Sequence, residues 1–474
     1  MTRMYQSIRT PAVAAIAIGV LLVASAGDAQ AQARIDGISG VTSFDFSAKA
    51  GEVSTPDGGS VHFWGYEDLA GHEGVGLPQY PGPTLILTQG QAVTITLVSE
   101  LPFGQCSSIV FPGHAVTASG GSNTSPGLLT LESCGADETD DKVTYSFTAS
   151  EPGTYTYNSG TQAELQIEMG LVGTIIVRPA DADQAYADPN TAFDHEYLFL
   201  LTQMDPVIHQ LAEQNRFDEI DMASYWPVYW FINGRAAPDT LAAPFVAWLP
   251  HQPYNSLPRM LPGENLLMRI VGASQGQHPF HFHGNNADVI ARDGRMLTHP
   301  RSRFTTLSVP GQTVDQIFTW TGKGMGWDIY GTPADGTLAH DCIDVDPADG
   351  YADADNAANL YPMEWCDDHY QPCIDNSGDG RDDTTGERCT NGYTKALPVD
   401  LPEAQNLAFG GFWSGSPFMD DAEPLPPGEG GLNPNGGFFF MWHSHAEKEL
   451  ANFDIFPGGM LTMMVVEPPG TVIP

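Results

Sequence analysis

Short runs in which apolar and polar residues alternate dominate this chain. In "KVTYSFTA" (142–149) Val143, Tyr145, Phe147 and Ala149 alternate with threonine and serine, and "AVTITLVSEL" (92–101) follows the same rhythm. A period of two sends successive side chains to opposite faces of a strand. Further short runs, "GTIIVRP" (173–179) and "NLLMRIVGA" (265–273), are set off by turn formers from a stock of 51 Gly and 37 Pro. The pattern predicts an all-β protein built from antiparallel β-sandwiches. Helical spacing is nearly absent, and "DPVIHQLAEQNRFDEI" (205–220) is its best candidate.

The N-terminus breaks this pattern. Arg3 and Arg9 precede the apolar run "PAVAAIAIGVLLVASA", followed by the small-residue stretch "GDAQAQA". This is the layout of a signal peptide cleaved after Ala31 or Ala33. No other stretch approaches the length of a membrane span. The expectation is an exported protein, periplasmic or extracellular, with no membrane insertion.

The remaining length suits two domains. The first is expected over 35–180, ending at the "GTIIVRP" strand; the second over 190–474, after the acidic link "ADADQAYADPNTAFD". An insertion interrupts the second at about 335–389, where 15 acidic residues face two arginines. Four of the six cysteines fall there: Cys342, Cys366, Cys373 and Cys389. In an exported chain six cysteines most economically make three disulfides. Cys106 and Cys134 form one candidate pair, and the connectivity of the other four stays open. The formal charge of −39 argues against nucleic-acid and anionic-lipid partners and suits cations. Within the insertion, Asp375, Ser377 and Asp379, followed by Gly380, match the start of a calcium loop. Gly386 stands where the closing glutamate belongs, so a solvated acidic loop is an equal reading.

Histidines carry the chemistry. "HPFHFHG" (278–284) places His281 and His283 two apart, and "HSH" (443–445) does the same for His443 and His445. Residues two apart on a strand share a face, so each pair is a chelating unit, and two such units on neighbouring strands can surround one ion. A site built from neutral imidazoles favours copper on the affinity order, with zinc as the alternative. His278 lies at odd spacing from His281 and faces elsewhere. His62, His72, His195, His209, His251, His299, His340 and His369 are isolated in sequence, and ordinary polar roles are expected of them.

"HPFHFHG" resembles the third copper motif of the multicopper oxidases, and "HSH" ahead of "GGM" resembles their fourth. "YPGPTLILTQGQAVTITLVSELP" and "EPGTYTYNSGTQAELQIEMGLVGTIIVRP" are similar to that family's cupredoxin scaffold. The resemblance implies two cupredoxin-like Greek-key domains, in the order seen in two-domain laccases and nitrite reductases, and a homotrimer. It also implies a blue type 1 copper and a three-copper cluster held by eight histidines. At the family's first motif stand Val110 and Pro112, and at its second "NSG", Asn158 to Gly160; four of the eight ligands are therefore replaced. Ser444 takes the place of the thiolate cysteine and Glu449 that of the next type 1 histidine. Met460 corresponds to the axial methionine, and His278 to the remaining type 1 ligand, left without its partners. A serine hydroxyl is a hard, protonated group that cannot supply the copper–sulfur bond of a blue site. His114 shares strand parity with Pro112 and is a candidate to enter the site from the first domain.

The expectation is an exported copper protein with oxidoreductase chemistry at a reduced histidine site, acting on a small molecule or metal ion. The competing readings are a non-catalytic copper or zinc carrier, and a calcium-stabilised interaction protein that uses its acidic insertion.

Overall fold

A computed structural model describes residues 35–135, 139–181, 183–323, 342–345, 348–359, 361, 363–367, 373–384, 438–467 and 471–473. The expected signal peptide, His340, His369, Gly386 and Cys389 lie outside these residues.

Among the described residues the first half supplies eleven strands: β1 (Ile38–Ser39), β2 (Ser43–Ser54), β3 (Ser60–Asp68), β4 (Leu85–Thr88), β5 (Gln91–Ser99), β6 (Thr117–Gly120), β7 (Ser125–Pro126), β8 (Leu131–Glu132), β9 (Val143–Ala149), β10 (Gly153–Asn158) and β11 (Val172–Arg178). They form a four-stranded sheet, β1-β4-β11-β10, a five-stranded sheet, β3-β2-β5-β9-β6, and the β7-β8 ribbon. The alternation in "KVTYSFTA" becomes β9, whose odd positions are all buried. Phe46, Tyr66, Ile95, Leu97, Tyr145, Tyr157 and Ile175 fill the space between the sheets.

The second half supplies β12 (His195–Met204), β13 (Tyr229–Ile232), β14 (Arg259–Met260), β15 (Asn265–Gly272), β16 (His278–Phe282), β17 (Ala287–Arg292), β18 (Arg295–Arg303), β19 (Thr305–Ser308), β20 (Thr313–Thr319), β21 (Phe438–Ser444) and β22 (Leu461–Val466). They make a six-stranded sheet, β13-β12-β15-β20-β17-β18, and a five-stranded sheet, β14-β22-β21-β16-β19. Parallel pairings such as β2 with β5 and β12 with β15 require crossings between sheets, as in cupredoxin-like sandwiches. The core of this half is aromatic and sulfur-rich, with Phe199, Phe280, Phe282, Phe318, Trp442, Met460 and Met464.

Helix is scarce. The candidate at 205–220 yields α2 (Pro206–Glu213), shorter than its pattern: Asp205 caps it through the Val207 amide and Pro206 fits its first turn. A second helix, α1 (Ala163–Glu168), lies within "TQAELQIEM", which carries no helical period long enough to read. Among the described residues no helix is long and apolar enough to cross a membrane.

The two halves are joined by buried contacts of both kinds. Val53, Phe63 and Tyr80 pack with Met204, Tyr229 and Phe231. Arg269, fully buried, donates to Glu196 at 2.8 Å and to Asp315 at 3.3 Å, and Thr154 of the first sandwich donates to Asp315 at 2.6 Å. Every charge in this network has an opposite partner, which a buried charge requires. Gly153 (φ +144°) allows close approach: a Cβ there would lie 2.6 Å from the Cα of Gly294.

Cys106–Cys134 and Cys342–Cys366 are disulfides, and Cys373 is also disulfide-bonded. The insertion is not only an acidic excursion held by such links. Its Tyr361 is buried in the second core, and the Trp365 amide donates to the Thr321 carbonyl at 2.9 Å.

Candidate metal centre

β16 and β21 are antiparallel neighbours, and their register sets His281 directly opposite His443. On β16 the side chains of His278, Phe280 and Phe282 turn inward and Pro279 and His281 outward. On β21 Trp442 and Ser444 face the core side with Phe282 and Phe280, their register partners. The strand period thus leaves His281, His283, His443 and His445 together on the other face. Ring centroids of His281 lie 4.8 Å from His283, 5.5 Å from His443 and 5.0 Å from His445. His443 is buried, His281 half-buried, and His283 and His445 exposed, so the group opens to solvent on one side.

Hydrogen bonds decide which nitrogens are free. Nδ1 of His281 lies 2.7 Å from the Phe304 carbonyl oxygen and 2.9 Å from Thr305 Oγ1. Nδ1 of His443 lies 2.7 Å from the Ser444 carbonyl oxygen. A carbonyl can only accept, so both Nδ1 atoms carry the proton and both Nε2 atoms present lone pairs. Nε2 of His443 lies 3.3 Å from Nε2 of His283, and one ligand atom from each of His281, His283 and His443 falls within 4.8 Å of the others. Although one edge of its ring is exposed, loss of water around the rest of the ring, reinforced by the neighbouring imidazoles, pushes His283 down to about 4. Burial also lowers His281 and His443. Neutral rings with oriented lone pairs are the donor set that an imidazole-binding metal requires, and carbonyl anchoring of the distal nitrogen is the usual support for such ligands.

The inward face differs. His278 does not join the four histidines and is not left alone. Its Nδ1 lies 3.0 Å from Glu449 Oε2 and its Nε2 lies 3.1 Å from Ser274 Oγ. Ser444 donates to the same Glu449 oxygen at 2.5 Å. His278 and Ser444 are fully buried and Glu449 nearly so, while Met460 is tied through backbone bonds to Glu449 and Ser444. The four positions that the family resemblance assigns to a type 1 copper therefore do converge, and three of their side chains bond to one another. His278 shows why spacing alone misleads: Glu449 lies 171 residues away in sequence.

His114 is also not brought to the four histidines. It belongs to the first sandwich, its ring 4.7 Å from Phe147 and 4.6 Å from Tyr155, with burial pushing it down to about 4. Val110 pairs with Asn158 across an isolated bridge. A Cβ on Gly160 would meet Val110 Cγ1 at 2.8 Å and Ser108 Oγ at 3.0 Å. In the insertion, Asp375 turns its carboxylate onto its own loop and accepts from the Gly378, Asp379 and Gly380 amides and from Ser377 Oγ. Asp375 and Asp379 belong to no convergent ligand group among the described residues. The anchors at Phe304 and Thr305 left no sequence signal, because only the β16–β19 pairing brings them to His281.

A family profile described as multicopper oxidase matches residues 76–182, and a second profile with the same description matches 249–327. The copper-containing nitrite reductase of Alcaligenes xylosoxydans xylosoxydans is 24% identical over 277 residues, which is 56% of this chain and 74% of that protein. That of Pseudomonas chlororaphis is 25% identical over 279 residues, 56% of this chain and 67% of that protein. Among solved structures, a blue copper oxidase from Nitrosomonas europaea superposes with a TM-score of 0.48 at 16% identity, covering 89% of this chain and 85% of that one.

Proposed function

Because the chain belongs to the multicopper oxidase family, we propose that it binds one copper ion through His281, His283, His443 and His445 and acts there as an oxidoreductase on a small molecule or metal ion. The observation that carries this reading is the convergence of imidazole nitrogens, two of them oriented by bonds to their distal Nδ1 atoms. Copper, when bound, supplies one-electron redox chemistry. The residues do the rest. His281 and His443 hold their protons on Nδ1 against fixed oxygen acceptors, and exposed His283 and His445 leave the ion open to a small substrate from solvent. The Ser444–Glu449–His278 network closes the inward face without a thiolate, so electrons enter at the histidine face itself.

The same closed network supports a second reading, a non-catalytic copper or zinc carrier. We also read the protein as exported, supported by its N-terminal sequence and its disulfides, and as a homotrimer by family resemblance. The test combines metal analysis after dialysis with turnover assays on phenols, nitrite and metal ions. One retained copper per chain with turnover supports the oxidoreductase; one copper or zinc without turnover favours the carrier; no retained copper or zinc ends both.

A further inference from the structure

We infer that the structure holds a second, separate metal site, a divalent-cation clasp made by Glu52, His62 and Glu213. Glu52 on β2 and His62 on β3 are register partners in the antiparallel hairpin, and His62 Nδ1 lies 3.2 Å from Glu52 Oε1. Glu213 closes the group from α2, and one ligand atom from each residue falls within 4.8 Å of the others. The three face a polar cleft of about 460 Å³, lined also by Ser60, Pro206 and Gln210.

Both sides of the cleft are fixed. His209 Nδ1 donates to the His62 carbonyl at 2.5 Å, and Ile208, His209 and Ala212 are buried, which holds α2 against the hairpin. The His62 ring itself is mostly buried, with Nε2 out of contact with any hydrogen-bond partner and Nδ1 turned to Glu52. Glu52 and Glu213 are exposed and free to adjust. Ligands about 2.1 Å from a tetrahedral ion stand about 3.4 Å apart, so a small rotation of either glutamate completes the geometry. A cation between the two carboxylates relieves their mutual repulsion when they close on it, and a chain of formal charge −39 concentrates cations at its surface.

One imidazole and two carboxylates form a harder donor set than the four histidines, suited to zinc rather than copper. Water completes the coordination. The clasp joins the β2–β3 hairpin of the first sandwich to the helix that follows β12 of the second, which gives it a structural role between the halves.

The test is equilibrium dialysis of copper-loaded, full-length protein against buffered zinc, so that the four-histidine face is already filled. Wild type is expected to bind one zinc per chain with a raised unfolding temperature. Glu52→Gln with Glu213→Gln, and separately His62→Ala, should each weaken zinc at least about tenfold, abolish the thermal shift and leave copper content unchanged. Equal zinc binding in wild type and the double glutamate variant would overturn the clasp. So would zinc binding that survives His62→Ala, which would mean only a surface carboxylate pair.

Discussion

β21 has two faces, and their contrast explains the molecule. Outward, the ring of His443 gathers with those of His281, His283 and His445, and a ligand nitrogen from each of His281, His283 and His443 falls within 4.8 Å of the others. Inward, one residue along the strand, Ser444 joins His278 and Glu449, and the polar groups satisfy one another. The inward face lies against the aromatic core of Phe440 and Trp442 while the outward one opens to solvent, and only the outward one gathers imidazoles alone, the donor set that a metal needs. On this strand the Glu449 carboxylate satisfies Ser444 and His278, whereas among the described residues no carboxylate joins the ligand group of the outward histidines.

The largest expected effect breaks the outward face. Replacing His281 and His283 together, or His443 and His445 together, by alanine should weaken copper more than about a thousandfold, since each double change removes half of the ligands. His278→Ala should leave affinity within about tenfold. Competition with a chelator of known strength measures both, and equal losses would show that the two faces are one site.

The inward face should break by unfolding rather than by loss of metal. Glu449→Ala strands the hydroxyl of Ser444 and Nδ1 of His278 in the core, and should cost about 2–4 kcal/mol of stability in denaturant titration. Glu449→Gln keeps one acceptor and should cost about half as much, with copper affinity close to wild type.

His114 offers a pH-dependent test away from either face. Its folded value is held near 4 by burial, below the ordinary value of about 6.5 for an unfolded chain. Between these values the unfolded chain binds the extra proton, so stability is full above about pH 6.5 and falls as the pH drops toward 4. With discounting for partial exposure the loss is about 1–2 kcal/mol. His114→Gln should flatten the stability profile in that window, and an unchanged slope would place the proton uptake elsewhere.

The smallest effect sharpens the comparison. Ser444→Cys alone should produce no intense copper–thiolate absorption, because Glu449 stands where a second imidazole would be needed. A strong visible band in copper-loaded Ser444→Cys protein would show that the inward face accepts copper as it stands.

Much of this was legible in sequence because strand periodicity is local. Alternation in "KVTYSFTA" and the two His-x-His pairs needed only residues two apart to be read, and the sandwich strands and the outward face follow from them. What escaped depends on pairings across long separations. Glu449 beneath His278, Phe304 and Thr305 behind His281, and Tyr361 of the acidic insertion inside the second core leave no periodic trace. His62 is isolated in sequence because its partner Glu52 is a cross-strand neighbour and Glu213 arrives from a helix. α1 was missed because six residues are too few to establish a period.

The most direct measurement of the central claim is an electron paramagnetic resonance titration of the purified protein with copper, read beside metal analysis. The account predicts saturation at one copper per chain, a type 2 spectrum with nitrogen coupling from imidazoles, no blue absorption, and loss of that spectrum in either double-histidine variant. A blue type 1 spectrum, or a nitrogen-coupled signal that survives both double variants, would contradict it.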